Sequence, residues 1–309
     1  MALIGADALR DRARGALLGL AVGDALGTTL EFRPKDCYEP LSDVVGGGPF
    51  RLKPGEWTDD TSMALALGYS LLERGMLDER DLMERFCAWE DEGEYSHNGR
   101  CFDIGNTVRG ALTRFRRTGN PVAGSTDPQS AGNGSLMRLA PVPILYAFDP
   151  EGRADVARRQ SATTHGAAEA VAACAAYAEL VAEAIQGRSK AQVLVPREGW
   201  SPESVARAMR METVGWDRRQ VRGSGYVIHS LEAALWAVGN ASGYRDAVLL
   251  AANLGEDADT TAAIAGQLAG ALWGASGIPG EWMAKLAWRE RIADLADHLH
   301  DMALERSDA

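Results

Sequence analysis

The sequence predicts an all-α protein, a single compact orthogonal helical bundle over residues 1–309. Three observations lead there. Apolar residues recur three and four positions apart through most segments, alanine and leucine dominate, and no short β-branched runs alternate with them. Helices are expected over 8–26, 60–75, 78–91, 104–117, 134–147, 151–161, 164–186, 201–213, 224–239, 243–253, 258–274 and 280–304. No low-complexity linker or tandem repeat divides them, so one domain is the simpler organisation.

Taken in order, the first helix carries an apolar run only from Ala16 to Val22, preceded by mixed charges, so it reads as neither a signal peptide nor a membrane span. It ends at Asp24 in "GDALG", and Glu31 follows in "TTLEF"; an acid there reads as a cap or an ion-pair partner. The next helix begins in "WTDDTSM", at Asp59 and Asp60. The helix over 104–117 follows "CFDIGNT", where Asp103 reads as its N-cap. "SAGNGSLMRLAPV" is a glycine-rich turn feeding the helix over 134–147, and free amides at such a turn can cradle a phosphate. The helix over 164–186 opens on "TTHGAAEA", placing His165 where it can stack on a ligand or serve structure alone. The helix over 258–274 follows "GEDADTT" and is rich in small residues, among them Ala262, Ala263, Gly266 and Gly270, so another helix can approach it closely. The long irregular segments 33–56, 90–101 and 118–134 lead into these helices, and loops of that length are usually functional or mobile.

A net charge of −11 argues against a nucleic-acid partner, which would require clustered basic residues. Cys37, Cys87, Cys101 and Cys174 show no CxxC spacing, so neither a zinc site nor a disulfide framework is signalled. The expectation is a cytoplasmic monomer with reduced thiols and no integral membrane association.

The two acidic clusters carry the sharpest question. Both sit at helix N-termini, where Asp and Thr ordinarily cap the first-turn amides and meet the positive end of the helix dipole. A cap needs one side chain, whereas Thr58, Asp59, Asp60, Asp257, Asp259 and Thr260 supply a surplus of oxygens. Hard cations such as Mg²⁺ or Mn²⁺ take oxygen ligands in near-octahedral sets and can share carboxylates. Spacing alone leaves capping and metal binding both open.

The ordered series "GALLGLAVGDALG", "WTDDTSM", "CFDIGNT", "SAGNGSLMR", "TTH" and "GEDADTTAAIAG" resembles the ADP-ribosylglycohydrolase family, and "GSGYVIHSLEAALWA" at 223–237 points to its dinitrogenase-reductase-activating (ADP-ribosylarginine hydrolase) branch. The resemblance implies two divalent cations, Mg²⁺ or Mn²⁺, in a binuclear cleft, held by Thr58, Asp59, Asp60, Asp257, Asp259 and Thr260. It implies that Asn133, Gly134 and Ser135 contact the phosphates of ADP-ribose and that His165 lies near the ligand. Asp103 is the first candidate for the acid/base role and Glu31 the alternative. The implied substrate is an ADP-ribosylated protein, with nitrogenase reductase as the partner of that branch. Glu256 departs from the pattern, since many members carry glycine there.

The chemistry expected is hydrolysis of the N-glycosidic bond to arginine, with carboxylates stabilising oxocarbenium character. Serine-linked or O-acetyl ADP-ribose is the alternative substrate, and a non-catalytic ADP-ribose reader the alternative role. "DADTT" also fits a haloacid-dehalogenase-type phosphatase pattern, which would need a parallel α/β sheet.

Overall fold

In the computed structural model, which describes residues 5–307, the chain forms α1 (Ala6–Gly27), α2 (Asp59–Arg74), α3 (Glu79–Glu92), α4 (Asn106–Thr118), α5 (Pro141–Leu145), α6 (Pro150–Thr164) and α7 (Ala168–Ile185). There follow α8 (Lys190–Val193), α9 (Glu203–Met209), α10 (Val227–Asn240), α11 (Tyr244–Ala252), α12 (Ala258–Trp273), α13 (Gly280–Lys285) and α14 (Arg289–Ser307). Among the described residues there is no sheet, only isolated bridges such as Gly132 with Tyr226. That removes the phosphatase reading, whose fold is built on a parallel sheet.

Helix α12 is buried from Ala258 to Leu272, the expected setting for a helix that is apolar all round. Its most extensive contact is with α1, and α7, α10 and α11 complete the surround. The α1–α12 seam depends on glycine. A Cβ at Gly19 would lie 2.3 Å from the Gly266 carbonyl oxygen, and one at Gly23 would lie 2.3 Å from that of Ala262. The two backbones are therefore in direct contact along the seam, which brings the C-terminal end of α1, with Asp24, against the N-terminal end of α12, with Asp259.

Several expected helices are shorter. The segment from Gly134 to Arg138 is turn, and only Pro141–Leu145 is helical. Pro141 lacks the N–H that would bond back to the Met137 carbonyl in a longer helix, and that carbonyl accepts from Gln267 Nε2 at 2.8 Å instead. The helix expected over 164–186 is interrupted, because His165 closes α6 in extended geometry and α7 starts at Ala168. The helix expected over 280–304 divides around Trp288, whose φ is +57°. The one expected over 224–239 begins at Val227, leaving Gly223–Gly225 as an irregular strap.

Candidate active site

The capping question is answered by hydrogen bonds. Neither Thr58, at the start of α2, nor Asp257, at the start of α12, caps its own helix through its side chain. The caps arrive from elsewhere. Asp24 Oδ1 accepts from the Thr58 amide and hydroxyl, both at 2.9 Å. Its Oδ2 accepts from the Thr61 amide at 3.0 Å and hydroxyl at 2.7 Å. Glu31 Oε2 accepts from the Ala258 amide at 2.9 Å and so serves the first turn of α12. Asp24 and Glu31, near the end of α1, thus serve the Thr58, Thr61 and Ala258 amides, and of the local acids Asp259 alone accepts from a first-turn amide, that of Thr260 at 2.7 Å.

They converge. Carboxylate oxygens of Asp24, Asp60 and Asp259 lie within 4.8 Å of one another, and so do those of Glu31, Asp257 and Asp259. Asp259 belongs to both groups. Thr58 Oγ1 reaches Asp60 and Asp259 at 3.4 Å each, and Thr260 Oγ1 reaches Asp60 at 3.4 Å. Asp60 Oδ1 is buried with no hydrogen-bond partner. Burial, with the charge of Asp259, pushes Asp24 and Asp257 up to about 7. Asp59 and Asp60 are raised well above the usual carboxylate range, by burial first and then by neighbouring carboxylates. The charges that dominate these shifts are all carboxylates. Buried like charges need protons or cations, and an orphaned inward-facing carboxylate oxygen fits a cation. These acidic groups could hold divalent metal ions.

The cluster forms the floor of a cavity of about 980 Å³, a size that suits a nucleotide-like ligand. Glu31, Asp59, Asp103, Asn133, Gly134, His165, Asp257, Asp259 and Thr260 line it, whereas Thr58 and Asp60 lie fully buried beneath. Asp103 is not the cap of α4, which starts at Asn106 with Gly105 before it. Its φ is +61°, and it accepts no hydrogen bond from an amide or hydroxyl of the described residues. Burial, then Asp59 and Asp259, push it up to about 11. Glu31 is raised by burial and by the same Asp259.

The glycine-rich turn is tied to the acids. Asn133 Nδ2 donates to Asp257 Oδ2 at 2.6 Å and to Ser230 Oγ at 2.9 Å. The strap before α10 holds both turns, with the Asn133 amide donating to Gly225 O and the Asp257 amide to Gly223 O. A Cβ at Gly134 would lie 2.7 Å from His165 Cε1, so only glycine lets the ring approach the turn. His165 stands at the end of α6 rather than at the start of a helix, with Nδ1 at 2.9 Å from Thr164 Oγ1. Burial and the Arg138 charge push it down to about 3, leaving the ring neutral. Ser135 is the exception among the expected contacts. It is fully buried, its hydroxyl pairs with Ser161 at 2.8 Å, and its side chain does not reach the cavity.

Sequence reasoning left Asp24 as a cap or an ion-pair partner and so missed its place in the cluster. The available signal was a lone carboxylate on the apolar face of α1. Phe32, Phe50, Phe102 and Arg109 also line the cavity and carried no sequence signal.

A sequence profile described as ADP-ribosylglycohydrolase matches residues 5–309. The chain belongs to the ADP-ribosylglycohydrolase family. Similar proteins include an ADP-ribosylarginine hydrolase Tri1 from Pseudomonas putida, 48% identical over 95% of this chain and 79% of its own. Another Tri1 hydrolase, from Serratia proteamaculans, is 48% identical over 96% of this chain and 80% of its own. An ADP-ribosyl-[dinitrogen reductase] glycohydrolase from Rhodospirillum rubrum is 34% identical over 90% and 91%. A solved structure described as an ADP-ribosylglycohydrolase-related protein complex superposes with a TM-score of 0.85 at 41% identity, covering 96% of this chain and 99% of that one. As in the resemblance drawn from the motifs, this is a family of hydrolases. Among the described residues no helix is long and apolar enough to cross a membrane.

Proposed function

We propose that the protein is a divalent-cation-dependent hydrolase that releases ADP-ribose from arginine side chains of modified proteins. The observation that carries this reading is the buried acidic cluster, with its unpartnered Asp60 Oδ1, at the floor of a nucleotide-sized cavity. Its relatives named for arginine-linked ADP-ribose support the choice of linkage.

Thr58, Asp59, Asp60, Asp257, Asp259 and Thr260, joined by Asp24, would hold two Mg²⁺ or Mn²⁺ ions. When bound, such ions supply positive charge that orients the ribose diol and makes nearby water more acidic. Asn133, Gly134 and His165 receive the ADP-ribose, with Ser135 fixing the turn from behind. Water attacks C1″ as the C1″–N bond breaks, and the bonding pair leaves on the guanidine nitrogen, which takes up a proton. Asp103 is assigned the transfer of the water proton, because its carboxyl is free of backbone duty. Glu31 has one oxygen committed to the Ala258 amide and is assigned to position the cluster. The acidic surroundings stabilise both the oxocarbenium character and the cationic arginine that leaves. The modified protein itself is the macromolecular partner, with nitrogenase reductase one candidate.

The test incubates purified protein with Mn²⁺ or Mg²⁺ and an arginine-ADP-ribosylated protein. Release of ADP-ribose that chelation or Asp259→Ala abolishes supports the reading. Retained ADP-ribose binding without release of any linkage would leave a reader, and faster release from serine or O-acetyl linkages would reassign the substrate.

A further inference from the structure

Glu31 is followed by Phe32, a residue 65% exposed and the most exposed of the large apolar residues among those described. This ring is not on a loose loop. The Phe32 amide donates to Glu256 O at 2.7 Å, and the Glu256 amide donates to Arg33 O at 2.8 Å. Phe32 and Glu256 hold φ of +61° and +60°, a region that residues with a Cβ rarely adopt. Asp103, also at +61°, lines the same cavity. Strained backbone gathered at one cavity is a pointer to function. The Glu256 carboxylate has neither an ion pair nor a hydrogen bond among the described residues, although the chain is rich in arginine pairs elsewhere. Phe32 meets Phe50 edge-on at 6.4 Å, and Phe50 meets Phe102 at 5.3 Å. Phe102 in turn packs at 5.9 Å on His97, which packs on the buried Trp57. An exposed aromatic side chain is thus anchored to the core through edge-on and tilted ring contacts, beside an unpaired carboxylate.

We propose that Phe32 and Glu256 form the acceptor subsite, in which the ring stacks on the guanidinium of the modified arginine and the carboxylate pairs with it. This inference rests on the proposed arginine-directed hydrolysis. Phe32 and Glu256 are each one residue from a member of the acidic cluster, Glu31 and Asp257, so they border the end of the cavity where the scissile bond lies. The adenine is separated from that bond by two riboses and a diphosphate and is out of their reach. A guanidinium is planar, weakly hydrated and cationic, and both an aromatic face and a carboxylate suit it. A serine or acetyl acceptor offers neither contact, so the pair selects linkages to arginine.

The test measures kcat/KM on an arginine-ADP-ribosylated peptide, alongside the Kd for free ADP-ribose by calorimetry, for wild type, Phe32→Leu, Phe32→Trp and Glu256→Gln. Phe32→Leu and Glu256→Gln are expected to lower kcat/KM about tenfold each, in line with a partly desolvated cation–π contact or charge pair. Phe32→Trp is expected to keep most of the activity, and the Kd for ADP-ribose is expected to move less than twofold in all three. Leucine performing as well as phenylalanine overturns the inference. So does an equal loss with tryptophan, which would mean the ring matters for shape, or a matching loss of ADP-ribose affinity, which would mean it serves the nucleotide. Each of these outcomes leaves wild type cleaving the arginine linkage, whereas wild type that never cleaves it overturns the proposed function as well.

Discussion

The Asn133 side-chain amide donates to Asp257 Oδ2 at 2.6 Å across a sequence separation of 124 residues, joining the glycine-rich turn to the acidic cluster. Asn133→Ala leaves Asp257 without this buried donor, while Ser230 loses the Asn133 donor but keeps its own bond to Ser224 O. The expected cost is about 1–3 kcal/mol of stability, with weaker ADP-ribose binding. Thermal unfolding and calorimetry check both, and unchanged ADP-ribose affinity would separate the turn from the ligand.

Asp24 satisfies two backbone amides and two hydroxyls at the start of α2. Asp24→Asn keeps the shape but turns an N–H₂ toward donors, so a loss of at least about 2 kcal/mol is expected. Divalent affinity, read by titration with Mn²⁺, should fall tenfold or more if Asp24 also faces the ions. A variant that melts early but binds Mn²⁺ as wild type would restrict Asp24 to capping.

Stability should depend on pH in a direction set by the cluster. Carboxyls raised by burial bind protons more tightly folded than unfolded. Their stabilising contribution is complete at low pH and is lost as pH rises through the folded value of about 7. With chelator present, the melting temperature should therefore fall between about pH 4 and about pH 7. Saturating Mg²⁺ or Mn²⁺, which takes the deprotonated acids, should lessen that fall. Identical pH profiles with and without cation would argue against metal at this cluster.

Gly19→Ala is diagnostic in its sign. In an ordinary helix interior the change stabilises by about 1 kcal/mol. Here the new Cβ would meet Gly266 O at 2.3 Å and the Tyr244 ring at 3.0 Å. A destabilisation of roughly 1–3 kcal/mol or more is expected in chemical denaturation, accompanied by reduced activity because the two ends of the cluster are carried by α1 and α12.

Asp103→Asn and Glu31→Gln separate the two candidate acid/base groups. Asp103→Asn should lower kcat about a hundredfold or more while keeping ADP-ribose affinity. Glu31→Gln retains an acceptor for the Ala258 amide and should lose less. The reverse order would move the proton transfer to Glu31.

The all-α class was legible because apolar period is a local property of the sequence, whereas acid surplus left the pairing of "WTDDTSM" with "GEDADTT" open until the ordered motifs supplied the family resemblance. The trans caps were not, since nothing in the spacing says that Asp24 would satisfy Thr58 and Thr61, or Glu31 the amide of Ala258. Asp103 read as a cap because an acid before a helix usually is one, and only its positive φ turns it toward Asp259. Ser135 stood in a plausible phosphate turn, but Ser161 and Cys174 draw its hydroxyl inward. The helix expected through Gly134–Leu139 failed because Pro141 stops it, a rule that was available in the sequence.

The glycine seam between α1 and α12 also divides what can vary from what cannot. With backbone against backbone, the spacing from Asp24 to Asp259 is fixed by main-chain dimensions and not by side-chain fit. The loops that carry Phe32, Phe50 and Phe102 leave that seam and take no part in it. An engineer could exchange the side chains of Phe32, Phe50 and Phe102 for a different acceptor, keeping Glu31 and Asp103 beside them, while the acids set by the α1–α12 seam keep their spacing.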